Sequence, residues 1–363
     1  MLDNPWALPA AGLLVGVVMG YIARRSHFCA MNALERHWYA ADSRGIRSWV
    51  LAAAIALLAT QTLQAAGLVD LSSSFYLAQP LPIAGTILGG LMFGFGMALV
   101  GTCGFGALVR LGGGNLRALV VLVAMGLAAM AAMRGLTGLF RVNVLDRAAL
   151  DLEAYGGQSL GAILETVTGW PLTLPLAYAI AALLLVWIFR DTAFRRDGEK
   201  ILAGVTVGAA IAAGWLITWY FSQRLMVPVQ LEAGSFVVPP ADAILLIVTV
   251  TGTLPDYGVG LAAGVFLGAA ASAWRSNDMR WEACDDAREL SRHLLGAFLM
   301  GTGGVFAMGC TIGQGVSAVS VMAVSAPLAV ASIVLGARIG LGVLVEGSAF
   351  GFLRHATGNH PAE

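Results

Sequence analysis

Residues 89–115 decide the fold, and they read GGLMFGFGMALVGTCGFGALVRLGGGN. The pattern predicts an apolar helix with glycines at intervals, which is interrupted at the Gly-Thr-Cys-Gly-Phe-Gly segment around Cys103; we call such an interruption a break. A second stretch, residues 296–320, reads GAFLMGTGGVFAMGCTIGQGVSAVS. An offset of 207 residues places Cys310 on Cys103 and also aligns four pairs of glycines, namely Gly89 with Gly296, Gly94 with Gly301, Gly96 with Gly303 and Gly106 with Gly313. We interpret the two stretches as one unit used twice.

The composition around these stretches is that of a membrane protein. Of the 363 residues, 58% are hydrophobic and only 12% are charged, and the mean hydropathy is +0.80. An ordinary soluble domain carries about 25% charged residues. Apolar runs of about 20 residues can cross a hydrocarbon core about 30 Å thick, and such runs make up most of the chain. We therefore predict an all-α polytopic membrane protein, with residues 1–363 forming a single integral membrane domain.

Nine transmembrane helices are predicted from the apolar runs, at about 8–23, 47–69, 83–102, 117–139, 171–189, 201–221, 257–274, 291–309 and 326–345. The run 241–254 is too short to span the membrane and predicts a half-helix. The first run follows no basic n-region, so we expect a retained span and not a cleaved signal. Arginines follow spans one, three, five, seven and nine, and the positive-inside rule places those connections in the cytoplasm. The N-terminus is then periplasmic and the C-terminus cytoplasmic.

This topology makes spans three and eight run in opposite directions, so the breaks at Cys103 and Cys310 are predicted to be antiparallel. An inverted repeat with interrupted helices near its symmetry axis is a recurring plan among transporters, and the interruptions mark the substrate site. The repeat is predicted to cover roughly residues 8–139 and 201–345. A second glycine pattern, with glycines four apart over residues 12–20 and again over 260–268, matches in parallel orientation, and we interpret it as helix packing.

The breaks at Cys103 and Cys310 suggest how the protein contacts an anion inside the membrane. Irregular backbone in a membrane is tolerable where it lines a cavity, and the half-helix that follows directs its free N–H groups and positive dipole end inward, which favours an anion. A thiol in apolar surroundings stays a neutral S–H donor, which can contact a soft sulfur-bearing anion without binding it tightly. The alternative is that Cys103 and Cys310 are small buried hydrophobic residues. Their occurrence in matched breaks favours the functional interpretation.

The remaining cysteines carry less information. Cys29, Cys103, Cys284 and Cys310 are far apart in sequence, with no C-x-x-C pair and no histidines at ligand spacing. This weighs against zinc, haem and thioredoxin-like sites, and we expect no metal and no cofactor. Cys284 lies in the polar stretch RWEACDDARELSRH and is expected to be incidental. Cys29 follows span one in RRSHFCAMN, has no partner in the 207-residue repeat, and its residues alone leave its role open.

Three segments resemble the YeeE/YedE family of bacterial inner-membrane proteins: RSHFC around Cys29, GGLMFGFGMALVGTCGFGALVR around Cys103 and GTGGVFAMGCTIGQGVSA around Cys310. The resemblance implies an hourglass-shaped inverted repeat that imports thiosulfate across the inner membrane, with Cys29, Cys103 and Cys310 passing the ion along by S–H hydrogen bonds. Related members are linked to selenium or to other sulfur compounds. Many are neighbours of a small TusA-like sulfur carrier, which implies a cytoplasmic partner.

We therefore expect a transporter and not an enzyme, with thiosulfate or a related small anion as substrate, the lipid bilayer as surroundings and no nucleic acid. Glycines at the breaks are expected to let the backbone approach the ion: Gly101, Gly104, Gly106, Gly309, Gly313 and Gly315. Gln314 offers an amide donor there. The alternatives are a transporter of another sulfur or selenium compound, a membrane thiol oxidoreductase, which usually needs a close cysteine pair and an electron-transfer partner, and a structural anchor for a sulfur carrier.

Overall fold

The computed structural model describes residues 6–249, 255–284 and 286–348. The described chain is built mainly from helices, whose bounds are α1 Ala7–Ser26, α2 Ala30–Ala40, α3 Arg44–Ala65, α4 Ile83–Val100, α5 Gly104–Gly112, α6 Leu116–Arg134, α7 Leu136–Phe140, α8 Leu160–Thr168, α9 Thr173–Phe189, α10 Thr192–Arg195, α11 Gly198–Ser222, α12 Val238–Val248, α13 Tyr257–Arg275, α14 Ala287–Phe306 and α15 Ser325–Val345. Two short strands, β1 Leu81–Pro82 and β2 Ala149–Leu150, pair antiparallel. Short 3₁₀ and π turns complete the connections, at Phe75–Leu77, Arg141–Leu145, Asp146–Ala148, Glu153–Tyr155 and Gly313–Ala318.

The prediction of an all-α polytopic membrane protein is confirmed, and a helix lies at each of the nine predicted spans. Seven helical segments of the described chain are long and apolar enough to cross a membrane. Two of these, Ala7–Ala40 and Ile83–Gly112, each contain two successive helices. The other two predicted spans are α9, which has only 17 residues, and α14, which carries charged residues in its first turns. Two of the predicted features reach beyond the described residues: the chain ends, 1–5 and 349–363, and the end of the half-helix 241–254.

The segment after α1 differs from its predicted role as a polar connection, because it contains the helix α2. α1 ends at Ser26, and His27 then adopts a left-handed backbone conformation with φ 53°. The first turn of α2 is apolar and buried at Ala30, Met31 and Ala33. α1 and α2 therefore form one interrupted helix. The charged residues in the second half of α2 hide this helix from a search for apolar runs.

The glycines spaced four apart over residues 12–20 and 260–268 pack α1 against α13, which confirms their interpretation as a packing motif. A methyl group added at Gly16 would lie 2.2 Å from the carbonyl oxygen of Leu261, and one added at Gly264 would lie 2.2 Å from the carbonyl oxygen of Leu13. Such distances leave no room for any side chain. Backbones that approach this closely gain van der Waals contact over the whole length of the two helices. We call this contact the glycine seam.

The long helices contact one another in matched sets. α1 packs on α13 and α11 packs on α3, while α4 packs on α15 and α14 packs on α6. Further contacts join α1 to α11 and α4 to α14. Exchanging α1, α3, α4 and α6 for α11, α13, α14 and α15 converts the first four contacts into one another in pairs and leaves the α1–α11 and α4–α14 contacts unchanged. An internal repeat of the two halves would produce this pattern.

Several ion pairs lie at one end of the bundle, where α1 ends and α3 begins. They join Arg24 to Asp278 at 2.8 Å, Arg25 to Glu199 at 3.1 Å, Arg44 to Asp197 at 3.3 Å and Arg47 to Asp191 at 3.1 Å. We call this end the basic face. The opposite end, formed by connections 66–82, 135–159 and 223–237, is called the acidic face because several carboxylates lie there.

Candidate functional site

The break at Cys103 connects α4 to the short helix α5. α4 ends at Val100, and Gly101 takes a left-handed conformation with φ 74° that favours glycine. Cys103 then caps the first turn of α5, and its Sγ accepts the backbone N–H of Gly106 at 3.4 Å. A sulfur that accepts a backbone hydrogen bond keeps its own S–H hydrogen available for another acceptor. Cys103 is buried, so this hydrogen lies inside the protein and not at its surface.

Cys29 lies beside the Cys103 break. It occupies the cap position of α2, after the left-handed His27, and its Sγ lies 3.7 Å from Oγ1 of Thr102. A methyl group added at Gly106 would lie 3.0 Å from Sγ of Cys29 and 3.6 Å from Sγ of Cys103. The two thiols therefore converge on the α-carbon of Gly106. Chain distance hides this proximity, since 73 residues separate Cys29 from Thr102.

The Cys310 break repeats the local geometry of the Cys103 break. α14 ends at Phe306, and the next turn includes Met308 and Gly309 with φ 57° and 154°. Sγ of Cys310 accepts the backbone N–H of Gly313 at 3.4 Å, three residues ahead, as Sγ of Cys103 does from Gly106. It also accepts the backbone N–H of Phe236 at 3.4 Å. Cys310 is completely buried.

Gln314 holds the Cys310 break together. Its side-chain amide donates to the carbonyl oxygens of Ala307 at 2.8 Å and Met308 at 3.3 Å, and its own carbonyl accepts from Ser325 at 3.4 Å. The amide of Gln314 therefore donates to the backbone of the break in this structure. A buried amide with these partners fixes the irregular turn, because leaving the two carbonyls without donors would cost about 1–3 kcal/mol each.

A fourth break, residues 234–237, escapes the sequence analysis because it contains no cysteine. It precedes α12, whose first residues are Val238, Pro239 and Pro240. We call the interruption between α1 and α2, residues 27–29, the Cys29 break. An offset of 208 residues aligns the break at 234–237 with it: Phe236 falls on Phe28, and the first residue of α12 falls on the first residue of α2. Val237 stands where the other half has Cys29. Cys29 therefore does have a counterpart position, in a different register from the one that relates Cys103 to Cys310.

The four breaks touch one another in a continuous series. The Cys29 break contacts the Cys103 break through Gly106, and a methyl group added at Gly104 would lie 2.7 Å from the carbonyl oxygen of Phe236. Phe236 in turn donates its N–H to Cys310. The three cysteines singled out from the sequence thus lie in three adjoining breaks. Cys284 lies apart from them, in the connection before α14, as expected.

The glycines of the breaks serve several different contacts. Gly101 and Gly309 adopt backbone conformations with φ between 74° and 154°, and Gly104 and Gly106 make room for the neighbouring breaks. A methyl group at Gly313 would lie 2.8 Å from the hydroxyl of Tyr76, and one at Gly315 would lie 2.8 Å from the ring of Trp49. Tyr76 and Trp49 therefore border the Cys310 break, although no local sequence pattern marks either of them.

Two cavities reach toward the breaks from opposite faces. The inner cavity opens on the basic face, has a volume of about 180 Å³, and Cys29, Phe28 and Asn32 are among the residues that line it. Its lining also includes four cationic side chains and three carboxylates, namely Arg25, Arg36, Arg44, Lys200, Asp42, Asp197 and Glu199. The outer cavity opens on the acidic face, has a volume of about 420 Å³ and reaches Tyr76, Ser235 and Gly309 beside the Cys310 break.

The charged residues that line the outer cavity are mainly acidic, with Arg141 opposed by Asp146, Glu232, Asp242 and Asp256. Glu232 lies in the connection between α11 and α12, and its Oε1 accepts the backbone N–H of Gly258 at 2.9 Å. Burial, followed by the charge of Asp256, raises the pKa of Glu232 to about 8. This carboxyl group is therefore neutral at pH 7 and loses its proton as the pH rises through about 8.

A model of the sulphur transport family matches residues 25–339, which include all four breaks. The chain belongs to this family. It is similar to the thiosulfate transporter TsuA of Escherichia coli (strain K12), with 26% identity over 332 residues that cover 86% of this chain and 88% of the relative. It is also similar to the thiosulfate transporter TsuA of Spirochaeta thermophila, with 26% identity over 333 residues that cover 90% and 96%. Family membership and the long apolar helices together identify a multi-pass membrane protein of sulphur transport.

Proposed function

We propose that this chain carries thiosulfate across the membrane, and that the ion passes Cys310, Cys103 and Cys29 in order on its way from the outer to the inner cavity. The observation that carries the proposal is the pair of buried thiols in matched breaks, each with its sulfur held by the N–H three residues ahead. Two relatives at 26% identity are named thiosulfate transporters, which supports the choice of this anion.

The chemistry of the breaks suits a soft dianion. Moving a charge into a medium of low dielectric is prohibitive without compensation, and one tight site would hold the ion instead of releasing it. A series of weak S–H donors at short intervals, together with the N-terminal ends of α2 and α5, offers several moderate contacts. Thr102, placed 3.7 Å from Cys29, adds a hydroxyl at the point where the Cys29 and Cys103 thiols meet.

We further propose that the two halves form an inverted repeat over roughly 8–139 and 201–345, in a bacterial inner membrane with the basic face in the cytoplasm. The matched helix contacts and the repeated cap geometry support the repeat. The arginines on the basic face support the orientation through the positive-inside rule. Import then runs from the acidic face to the basic face, where a TusA-like sulfur carrier would receive the sulfur compound.

Uptake by purified protein tests the proposed function. Protein reconstituted in liposomes should take up labelled thiosulfate, with sulfite, sulfate and selenite added in turn as competitors to identify the preferred ion. Cys103→Ala and Cys310→Ala should each abolish or strongly reduce uptake, and growth on thiosulfate as sole sulfur source, while Cys284→Ala remains active. Normal growth and uptake of both variants at normal expression would end the thiol proposal. Uptake without any carrier would exclude a purely anchoring role.

One observation favours a second candidate, a membrane thiol oxidoreductase: the thiols of Cys29 and Cys103 converge on Gly106. Their oxidation would form one disulfide and release two electrons and two protons to a carrier such as a quinone. In the structure all four cysteines are free thiols. Alkylation of active protein without reductant, followed by mass spectrometry, separates the candidates, since a Cys29–Cys103 disulfide would favour the redox role and free thiols favour transport.

A further inference from the structure

Four aromatic rings form a continuous series across the middle of the molecule. Trp49 stacks on Phe28 with ring centres 5.6 Å apart, and Phe28 meets Phe105 edge to face at 6.2 Å. Phe105 lies 4.9 Å from Phe236. The three phenylalanines are 3%, 1% and 0% exposed, respectively. Each belongs to a break, since Phe28 precedes Cys29, Phe105 follows Cys103 by two residues and Phe236 binds Cys310 through its N–H.

These rings lie where the two cavities end. Phe28 lines the inner cavity, while Ser235, next to Phe236, lines the outer cavity. Within the described part of the chain, no residue lines both cavities. The Phe105–Phe236 contact joins the break that holds Cys103 to the residue that binds Cys310. The contact between the rings of Phe105 and Phe236 therefore lies between the two breaks.

A cluster of three buried phenyl rings opposes the passage of an anion for two reasons. It offers no hydrogen-bond donor to replace the hydration shell of the ion, and apolar constrictions of this kind block ions by excluding water. The face of an aromatic ring carries negative charge density, while its edge is positive. A ring that presents its face to the ion repels it, whereas a ring turned edge-on offers weakly positive C–H groups.

We propose that Phe28, Phe105 and Phe236 form the permeation barrier between the thiols of Cys29 and Cys103 on one side and the thiol of Cys310 on the other, and that rotation of the Phe105 side chain admits the ion. The inference deepens the proposed transport function and rests on it. Phe105 is the member that contacts both of the others. Its neighbours in the chain, Gly104 and Gly106, carry no side chains, so the contacts that position its ring come from other parts of the chain.

Access to Cys310 tests the barrier independently of transport. A negatively charged, impermeant methanethiosulfonate reagent is applied to the basic face of oriented vesicles, and labelling of Cys310 is measured in protein whose other three cysteines are replaced by alanine. With Phe105 present, Cys310 should react at least roughly tenfold more slowly than in the Phe105→Ala variant. Equal labelling rates with and without the ring would overturn the proposal.

Ion selectivity gives the second measurement. In liposomes Phe105→Ala should raise the flux of sulfate and chloride by roughly tenfold or more, because the ring no longer excludes hydrated anions. Phe105→Leu, which keeps an apolar side chain of similar bulk, guards against misfolding of the alanine variant and should leak less than it. Phe93→Ala is the matched control, since Phe93 is equally buried on α4 and lines neither cavity; it should not leak.

The outcomes separate this inference from the function on which it rests. If wild-type protein carries no thiosulfate but Phe105→Ala admits chloride and exposes Cys310, the barrier is real and the proposed substrate is wrong. If wild-type protein carries thiosulfate and both Phe105→Ala and Phe105→Leu retain its selectivity and its slow labelling of Cys310, the transport function stands and the barrier proposal is refuted.

Discussion

A methyl group added to the α-carbon of Gly106 would lie 2.3 Å from Oγ1 of Thr102 and 3.0 Å from Sγ of Cys29. At the scale of single residues, the geometry of the candidate site therefore depends on the lack of a side chain at Gly106 as much as on the thiols. The backbone N–H of the same residue holds Sγ of Cys103. Gly106 thus sets the positions of Thr102, Cys29 and Cys103 relative to one another.

Gly106→Ala should lower thiosulfate uptake by roughly tenfold to a hundredfold, because a displacement of about 1 Å in a positioned group has effects of this size. The reduction should appear in initial rates of uptake by reconstituted protein, with thermal unfolding of the purified variant measured in parallel.

The matched control for that variant is Gly198→Ala. Gly198 begins α11, and an added methyl group there would meet no atom within 4 Å. Its uptake should equal that of the wild type. If Gly106→Ala also transports at the wild-type rate, the convergence of the two thiols on this residue has no functional meaning.

The residues of the site could be predicted from the sequence only where the sequence itself carries a signal. The breaks at Cys103 and Cys310 can be predicted because they repeat in the chain, glycine by glycine. Tyr76, Trp49 and Phe236 were missed, since each reaches the site from a distant part of the chain and none belongs to a local motif. A comparison of HFC with SFV at an offset of 208 residues is the one signal that would have found Phe236.

At the scale of helices, the glycine seam between α1 and α13 is the closest approach described above. Carbonyl oxygens of α13 occupy the positions that side chains on one face of α1 would need, and the reverse holds for α13. A larger side chain at one of these glycines must push the backbones of α1 and α13 apart, because the nearest atoms belong to backbone and not to a flexible side chain that could move aside.

Gly16→Val should therefore destabilise the protein by about 1–3 kcal/mol, the usual cost of overpacking a close contact. The change should appear as a lower unfolding temperature in detergent. Leu14→Ala on the same helix is the control, because Leu14 is 69% exposed and its side chain should contribute little to helix packing. An unchanged unfolding temperature for Gly16→Val would show that the seam is looser than the structure indicates.

Long apolar helices were the part of the fold that sequence reasoning predicted well. The nine predicted spans coincide with helices because a run of about 20 apolar residues has few other stable forms in a membrane. α2 was missed, since Glu35, Arg36 and His37 interrupt its apolar character. The break at 234–237 was missed because it contains no cysteine and only one glycine. Its conformation is fixed by contacts such as that between Ser317 and the carbonyl of Gly234.

At the scale of the whole molecule, the two cavities differ in charge. The inner cavity has a small excess of cationic side chains, whereas carboxylates predominate around the outer cavity. An anion that enters from the acidic face meets repulsion that depends on how many of these carboxylates have lost their protons. Glu232, whose pKa is raised to about 8, loses its proton between pH 7 and pH 9.

Thiosulfate uptake should fall as the external pH rises through about 8, because Glu232 then becomes negative beside Asp256 and Asp242. Its raised pKa also means that the folded protein holds this proton more tightly than the unfolded chain does. The associated stability is present at low pH and is lost as the pH rises to about 8. Glu232→Gln should remove most of the decline in uptake measured between pH 7 and pH 9 in liposomes.

Asp146→Asn provides the comparison for the pH experiment. Asp146 lines the same cavity, but its carboxylate lies 3.6 Å from Arg141. This variant should keep the decline of the wild type. A pH profile that is identical in wild type and in Glu232→Gln would assign the decline to another group.

The glycine seam also bears on the order in which the molecule is assembled during synthesis. α1 is made long before α13, the helix that packs against its glycine face. α4 is likewise made before α14 and α15, the helices against which it packs. Until those partners are inserted, lipid contacts the surfaces of α1 and α4 that later pack against protein. Their association is delayed because helices pair only after insertion. A nascent chain released early would therefore be a substrate for membrane proteases, so the late helices determine whether the early ones survive.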